Sequence, residues 1–198
     1  MIEQTPNVGK KGLLFVVSGP SGVGKTTLIE MFLKEDQDSV FSISYTTRQR
    51  RKFETDGEDY YFVDADTFKK MVEKDYFLEW ETVHGYLYGT PKKEVFETLQ
   101  KGTDIFLDID VKGAISVKEK YPDACLIFIE SPSKEALIKR LSSRGEKEID
   151  LRMRRVEEEL EKKYLFQYFV INDRLSNAYG DFKRIIETVR GLNGKDNR

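Results

Sequence analysis

Residues 13–26 read L-L-F-V-V-S-G-P-S-G-V-G-K-T, an apolar run that leads into a glycine-rich segment ending in lysine and threonine. The run 13–18 is short and continuously apolar, which is typical of a buried strand. Beyond it, Leu28, Ile29 and Phe32 recur at helical spacing. The stretch therefore predicts a strand, a tight loop and a helix in succession.

The loop at residues 19–26 has the spacing Gly, four residues, Gly, Lys, Thr that is typical of phosphate-binding loops. Backbone N–H groups and a helix N-terminus favour anions there. Lys25 would add a positive charge at the β- and γ-phosphates, and the Thr26 hydroxyl would hold Mg²⁺. A chance match in an ordinary turn is disfavoured because a strand precedes the loop and a helix follows it. The residues predicted to bind the phosphoryl donor here are Gly19, Ser21, Gly22, Val23, Gly24, Lys25, Thr26 and Thr27.

Further apolar runs at 105–109, 124–129 and 168–171 predict buried strands, and helical patterns lie between them. One such helix is predicted to open with Thr90 as cap and Pro91 as first residue. This alternation predicts an α/β fold with a mostly parallel sheet. Segments 41–45 and 59–63 interrupt the alternation and predict strands of a small insertion. Residues 191–198 are expected to form a frayed tail.

Composition excludes several classes of function. The 198 residues contain 33 Lys plus Arg and 35 Asp plus Glu, so no nucleic-acid or membrane partner is predicted. No apolar run approaches the length of a membrane span, and the polar first twelve residues predict no secretory signal. Cys125, the single cysteine, stands in an apolar run and is expected in the core rather than at a reactive site. A reducing compartment, the cytoplasm, is the expected location.

A second set of motifs occurs in order along the chain. They are S-Y-T-T-R at 44–48, Arg51, Glu54, G-E-D-Y-Y-F at 57–62, F-L-E-W at 77–80, Y-L-Y-G-T-P at 86–91 and L-D-I-D-V-K-G-A at 107–114. Together with the phosphate loop, these motifs resemble the guanylate kinase family from about Gly12 to Tyr179. The resemblance implies a P-loop nucleoside monophosphate kinase fold in one domain, residues 1–198. Its parts would be a core at 12–40, 91–139 and 165–190, a GMP-binding insertion at 41–90 and a helical lid at 140–164.

By the same resemblance, the expected reaction is Mg²⁺-dependent transfer of the γ-phosphoryl group of ATP to GMP. The GMP-binding positions implied are Ser44, Arg48, Arg51, Glu54, Tyr60, Glu79, Tyr88, Gly89, Thr90 and Asp110. Arg140 and Asn172 match ATP-binding positions, Asn172 lying near the base. Lys25, Arg48, Arg144 and Arg155 would act on the phosphates during transfer.

The chemistry of these residue types agrees with those roles. Arginine forks and hydroxyl groups suit a phosphate dianion. Guanine presents N1–H and N2–H₂ donors, which a lone carboxylate such as Glu79 can accept, while Thr90 can donate to O6. An acid at the end of a buried strand often supports Mg²⁺ in P-loop enzymes. Either Asp108 or Asp110 fits that place, and the sequence leaves the choice open.

The chain departs from the family pattern at a few positions. Arg50 and Phe53 stand where the family usually has proline and glycine, and the lid lacks the usual threonine after its glycine. These departures fall in the loop around Arg51 and in the lid, so those two segments are where the local structure is expected to differ. His84, the single histidine, is expected in a solvated loop with no catalytic role.

Three rival functions compete with this interpretation. A GTPase is disfavoured because D-V-K-G at 110–113 has no N-K-x-D partner motif. A kinase for another base is disfavoured by Glu79 and Thr90, which suit guanine. A non-catalytic partner-binding module is disfavoured by the intact phosphate loop. An oligomer is possible but not indicated by the sequence.

Overall fold

Strands alternate with helices along most of the chain, as the apolar runs predicted. The computed structural model describes residues 11–143 and 149–195. In chain order its elements are β1 (Leu14–Ser18), α1 (Lys25–Glu35), β2 (Ser39–Phe41), β3 (Tyr45–Thr46), β4 (Tyr61–Phe62), α2 (Ala65–Glu73), β5 (Phe77–Val83), β6 (Tyr86–Pro91), α3 (Lys92–Gln100), β7 (Asp104–Asp108), α4 (Val111–Lys120), β8 (Cys125–Glu130), α5 (Lys134–Ser143), α6 (Ile149–Glu161), β9 (Tyr168–Ile171) and α7 (Leu175–Lys195). A 3₁₀ turn, Lys163–Leu165, precedes β9.

The strands belong to two sheets. Within the described ranges the main sheet has five strands in the order β2-β7-β1-β8-β9, and the smaller sheet has four in the order β4-β3-β6-β5. In the main sheet β2 pairs parallel with β7, β1 with β8, and β8 with β9. The prediction of an α/β fold with a mostly parallel sheet is confirmed.

Close contacts divide the chain into two units. The first unit is Met1–Leu14 with Asp38–Leu107, and the second is Phe15–Gln37 with Asp108–Arg198. The expected insertion at 41–90 falls in the first unit, and the expected lid at 140–164 falls in the second. The finer boundaries of core, insertion and lid stay predictions.

The second unit holds the helices α1 and α7 together by an aromatic and an ionic contact. The rings of Phe32 and Phe182 meet edge to face with centroids 6.3 Å apart. Arg190 forms two hydrogen bonds to the Asp36 carboxylate, at 2.8 and 2.9 Å. Helices α5 and α6 share a separate apolar cluster, which consists of Leu137, Leu141, Val156, Met153 and Leu160. No helix in the described ranges has the length and apolar character needed to cross a bilayer.

The first unit is organised around the hairpin of β5 and β6. These strands pair antiparallel, and a tight turn with positive φ at His84 and Gly85 joins them. Strand β3 adds to the other edge of β6, also antiparallel. The ring of Phe68 on α2 stacks on the ring of Phe77 on β5, with centroids 4.5 Å apart. His84 is exposed in its turn, as the sequence predicted.

Two local predictions were wrong. Thr90 does not cap helix α3, since it lies in strand β6 and α3 begins at Lys92 after Pro91. Its hydroxyl donates to a buried carboxylate instead of to the helix. The run 41–45 is not one strand, because β2 ends at Phe41 and β3 begins only at Tyr45.

The expectation of a tail from residue 191 onward was also wrong in part. Helix α7 continues to Lys195. The Asn193 amide donates to the Val189 carbonyl at 2.9 Å, and Val189 is buried. A glycine such as Gly191 costs an exposed helix only about 1 kcal/mol, so the hydrogen-bonded helix runs through it. Residues 196–198 lie outside the described ranges.

Candidate functional site

In the second unit the chain runs from β1 through a loop, residues 19–24, into helix α1. Gly19 has φ 137, and a Cβ added there would lie 2.2 Å from the carbonyl oxygen of Ile129. Only glycine fits such a close approach, so β8 holds the start of the loop tightly. The helix begins at Lys25 directly after the loop, which brings its N-terminus to the place where a phosphate would sit.

Lys25, Thr26 and Asp108 form a polar group beside this loop. The Lys25 ammonium donates to the Gly19 carbonyl oxygen at 3.0 Å and lies 3.6 Å from the Asp108 carboxylate. The Thr26 hydroxyl donates to the other Asp108 oxygen at 2.6 Å. The lysine is thus held over the loop, while a hydroxyl and a carboxylate lie together at the start of the helix.

The structure separates the two acids between which the sequence could not choose. Asp108 ends strand β7 and contacts Thr26. Asp110 is the N-cap of helix α4, and its carboxylate accepts a hydrogen bond from the Gly113 amide at 2.8 Å. Hydroxyl and carboxylate oxygens are the ligands that Mg²⁺ prefers, so the pair of Thr26 and Asp108 fits this metal.

Two polar side chains from later in the chain contact a carbonyl group of the loop. The Asn172 amide donates to the Val23 carbonyl oxygen at 2.8 Å. Arg140 donates to the same oxygen at 3.4 Å and to the Asn172 carbonyl at 2.6 Å. Of the remaining arginines predicted here, Arg155 belongs to helix α6 and Arg144 lies outside the described residues.

The first unit contains a second polar group, built around Arg48. Its guanidinium donates in a fork to the Glu54 carboxylate, at 2.9 and 2.7 Å, and to the Tyr88 hydroxyl at 3.2 Å. The Tyr60 and Phe62 rings lie 5.4 and 5.7 Å from the guanidinium carbon. Arg48 therefore sits between a carboxylate and two aromatic faces, in one defined position.

The charges of this pair stabilise each other. Burial acts to lower the pKa of Arg48, but the hydrogen bonds with Glu54 and Tyr88 prevail and raise it above its usual value. Burial likewise acts to raise the pKa of Glu54, yet the bonds from the Arg48 side chain and the Arg51 amide bring it below 4.5. The guanidinium of Arg48 is thus fully charged.

A buried carboxylate marks the sheet of the same unit. Glu79 on β5 is only 4% exposed, and it pairs across the hairpin with Thr90 on β6. The Thr90 hydroxyl donates to Glu79 at 2.5 Å. Buried carboxylates are rare unless partnered, and Thr90 supplies such a partner here. The Thr90 hydroxyl hydrogen is directed at Glu79. The predicted donation from Thr90 to O6 of a guanine stays a prediction.

The other predicted acceptor residues lie on the same elements or next to them. Ser44 precedes β3, Tyr60 precedes β4, and Tyr88 and Gly89 belong to β6. Arg51 is exposed, and its carbonyl closes a turn with the Glu54 amide at 3.1 Å.

The positions that depart from the family pattern keep this turn. Arg50 donates to the Glu54 carbonyl oxygen at 2.9 Å, and Phe53 points to solvent with 81% exposure. Among the described residues other than glycine, positive φ occurs at Asp75 and His84 and not at Phe53. The turn therefore forms here without the conformation that favours glycine.

Sequence reasoning missed Phe62 in the group around Arg48, and it correctly placed Cys125, elsewhere in the chain, in the core. Phe62 supplies an aromatic face to Arg48. The available signal was its place two residues after Tyr60 within the strand predicted at 59–63. Cys125 is buried in β8, where desolvation raises the pKa of its thiol to about 12. It is a core residue, as expected.

Comparison with known proteins gives a consistent result. The family model described as guanylate kinase matches residues 11–189. The guanylate kinase of Caldanaerobacter subterraneus subsp. tengcongensis is 44% identical over 189 residues, which are 94% of this chain and 88% of the relative. That of Thermotoga maritima is 43% identical over 191 residues, covering 95% and 91%. The crystal structure of guanylate kinase from Anaplasma phagocytophilum matches with a TM-score of 0.74 at 29% identity, covering 90% of this chain and 86% of that one. With this agreement over nearly its whole length, the chain belongs to the guanylate kinase family.

Proposed function

We propose that the chain transfers the γ-phosphoryl group of ATP to GMP, giving ADP and GDP. The observation that carries the proposal is the complete phosphate loop with Lys25 held over it, within a chain of this family. Non-catalytic modules of the same general shape have no need of a lysine in that position. The complete loop with its lysine therefore favours an enzyme over a partner-binding module.

At the donor end, the loop 19–24 and the N-terminus of α1 would bind the ATP phosphates through backbone N–H groups. Lys25 would leave the Gly19 carbonyl and contact the β- and γ-phosphates, where it offsets charge that grows during transfer. Thr26 and Asp108, 2.6 Å apart, would hold Mg²⁺. When bound, this ion supplies further charge neutralisation at the phosphates.

At the acceptor end, Arg48 would bind the GMP phosphate, with Tyr60 and Tyr88 beside it. Ser44 and Arg51 would complete that group. Glu54 would act through Arg48, because its two carboxylate oxygens already accept the guanidinium fork. Glu79 would read the donor edge of guanine, and Thr90 would hold that carboxylate in place.

No general base is required for this reaction. The attacking atom is an oxygen of the GMP phosphate, whose second pKa is about 6, so it is largely ionised at neutral pH. Catalysis then consists of bringing two anions together and neutralising their charge. Arg140, Arg144 and Arg155 are the candidates for added positive charge at the donor, and a cytoplasmic site of action agrees with such a reaction.

The test is a coupled assay with ATP, Mg²⁺ and a panel of GMP, AMP, CMP and UMP. GMP should be the preferred acceptor, and preference for another base would refute the assignment. Lys25→Met is the matched loss-of-charge variant. It should stay folded, because the lysine side chain is engaged through its charge rather than through apolar packing, and its kcat should fall by about 100-fold or more. Near-normal turnover by the folded variant would refute the role of the loop.

A further inference from the structure

Asn172 is a buried polar residue in contact with the phosphate loop. Its side chain is 6% exposed and donates through Nδ2 to the Val23 carbonyl oxygen at 2.8 Å. Its backbone is held as well, since the Asn172 backbone N–H donates to the Glu130 carbonyl oxygen at 2.8 Å. Strands β8 and β9 therefore present this side chain to the loop from a fixed position.

The Val23 carbonyl is linked covalently to the orientation of the next amide. In a planar trans peptide the C=O and the following N–H point in opposite directions. A donor that fixes the Val23 oxygen therefore also fixes the direction of the Gly24 N–H, which points the opposite way. A reversed peptide would instead turn a carbonyl oxygen toward the phosphates, where its partial negative charge would repel them.

Gly24 makes such a reversal easy unless something prevents it. Its φ is 102, a region in which glycine meets little steric resistance and other residues meet much. A Cβ added to Gly24 would lie 2.6 Å from the Asn172 Nδ2 atom, so the close fit itself requires glycine. The freedom that allows this fit is the same freedom that would allow the peptide to rotate.

Arg140 stabilises the same arrangement. Its guanidinium donates to the Asn172 backbone carbonyl oxygen at 2.6 Å and to the Val23 carbonyl oxygen at 3.4 Å. The Val23 oxygen thus accepts bonds from two side chains, of which the Asn172 bond is the shorter. Residues far apart in sequence converge on one carbonyl group of the loop.

We propose that Asn172 is a positioning residue that holds the Val23–Gly24 peptide with its N–H facing the donor phosphates. The inference rests on the proposed function, in which this loop binds the phosphates of ATP. The family resemblance implies a role for Asn172 near the base. The role proposed here is different, because the side-chain amide of Asn172 donates to a backbone carbonyl of the loop. Removing the donor should therefore weaken the binding of any polyphosphate, with or without a base.

The decisive variant is Asn172→Asp, which keeps the size of the side chain and replaces the donor with a carboxylate oxygen facing the Val23 carbonyl. The probe is the Mg²⁺ complex of inorganic tripolyphosphate, titrated calorimetrically, since it has phosphates and no base. Loss of one aligned amide contact to phosphate should weaken this binding by about 10- to 100-fold. The KM for ATP should rise in step, while the KM for GMP stays unchanged.

Asn193→Asp is the matched control. The Asn193 amide also donates to a backbone carbonyl, that of Val189 at 2.9 Å, but it lies on helix α7 rather than behind the loop. It should leave tripolyphosphate binding unaltered. Asn172→Ala is a second variant, which removes the donor without adding an opposing oxygen and should give a smaller loss because Arg140 remains. If Asn172→Asp does not fold by circular dichroism, the comparison is made with Asn172→Ala.

Unchanged tripolyphosphate affinity in the folded variant would overturn the inference, above all if ATP binding alone weakened, since that pattern belongs to a residue that reads the base. Failure of the unaltered chain to bind tripolyphosphate would overturn it too. Failure of the unaltered chain to phosphorylate GMP, with tripolyphosphate still bound and still weakened by Asn172→Asp, would refute the proposed reaction and leave the positioning role standing.

Discussion

Glu79→Gln is the most informative test of base recognition, because it changes the hydrogen-bonding capacity of a buried residue and not its size. The carboxylate is 4% exposed and accepts the Thr90 hydroxyl at 2.5 Å. A glutamine can keep that bond through its amide oxygen. Its NH₂ group must then occupy the place of the second carboxylate oxygen, where guanine would present N–H donors of its own.

The magnitude follows from the contacts that are lost. Hydrogen bonds to a charged group contribute about 1.5–3 kcal/mol each, so losing one or both guanine contacts should lower kcat/KM for GMP by about one to four decades. Adenine presents a ring nitrogen acceptor on the corresponding edge, which suits an amide better than a carboxylate. AMP turnover should therefore fall little or rise, and the ratio of GMP to AMP activity should narrow.

The assay is the coupled measurement of kcat/KM with GMP and with AMP, at saturating ATP. The KM for ATP should not change. Glu73→Gln, at an exposed position of helix α2 in the same unit, is the matched control and should leave both activities unaltered. An equal fall with GMP and AMP would refute the reasoning, since it would mean that Glu79 supports the hairpin and that other residues read the base.

Two further predictions concern the charged groups of the site. Asp108→Asn should raise the Mg²⁺ concentration required for half-maximal activity by about 10- to 100-fold, because the ion loses the carboxylate proposed to hold it together with Thr26; an unchanged Mg²⁺ titration would contradict this. Glu54→Gln should lower the free energy of unfolding near neutral pH by about 1.5–3 kcal/mol through its weakened bonds to Arg48, as measured in urea. The pKa of Glu54 is lowered in the folded state, so its contribution to stability is present above pH 4.5 and is lost as the pH falls through the folded pKa. The Glu54→Gln variant should therefore lose less stability on acidification than the unaltered chain does. Equal acid sensitivity of the two proteins would show that the ion pair is not the cause.

The phosphate loop was predictable from sequence because its function requires a local arrangement. Glycines, lysine and threonine at fixed spacing act through consecutive residues, and the strand and helix around them have strong periodic patterns. The succession of strands and helices along the chain was predictable because each element has its own local apolar pattern. The parallel pairing of β1 with β8 was predictable because both strands are apolar and buried. The prediction of a buried strand at 168–171 was wrong, because β9 is the edge strand of the sheet and Phe169 and Ile171 are 44% and 56% exposed.

Contacts between distant residues were not predictable in that way. Thr90 beside a proline is typical of a helix start, and only the pairing of β5 with β6 shows that its hydroxyl contacts Glu79 instead. Asp108 and Asp110 are equivalent by spacing, and the choice between them depends on where the Thr26 hydroxyl lies. In the sequence Asn172 is only a polar residue after a strand, and the structure is needed to show that its side-chain amide donates to the Val23 carbonyl.

The defined position of Arg48 has a consequence for the thermodynamics of binding. A free arginine side chain samples many rotamers, and immobilising it costs about 2 kcal/mol of conformational entropy. In this chain the fork to Glu54 and the flanking rings restrict the side chain already in the folded protein. That loss of rotamer freedom accompanies folding and is not repeated when an anion arrives. Phosphate binding at Arg48 should consequently carry a smaller entropic penalty than binding at the exposed, less restrained Arg51, and calorimetry on variants of each can separate the two.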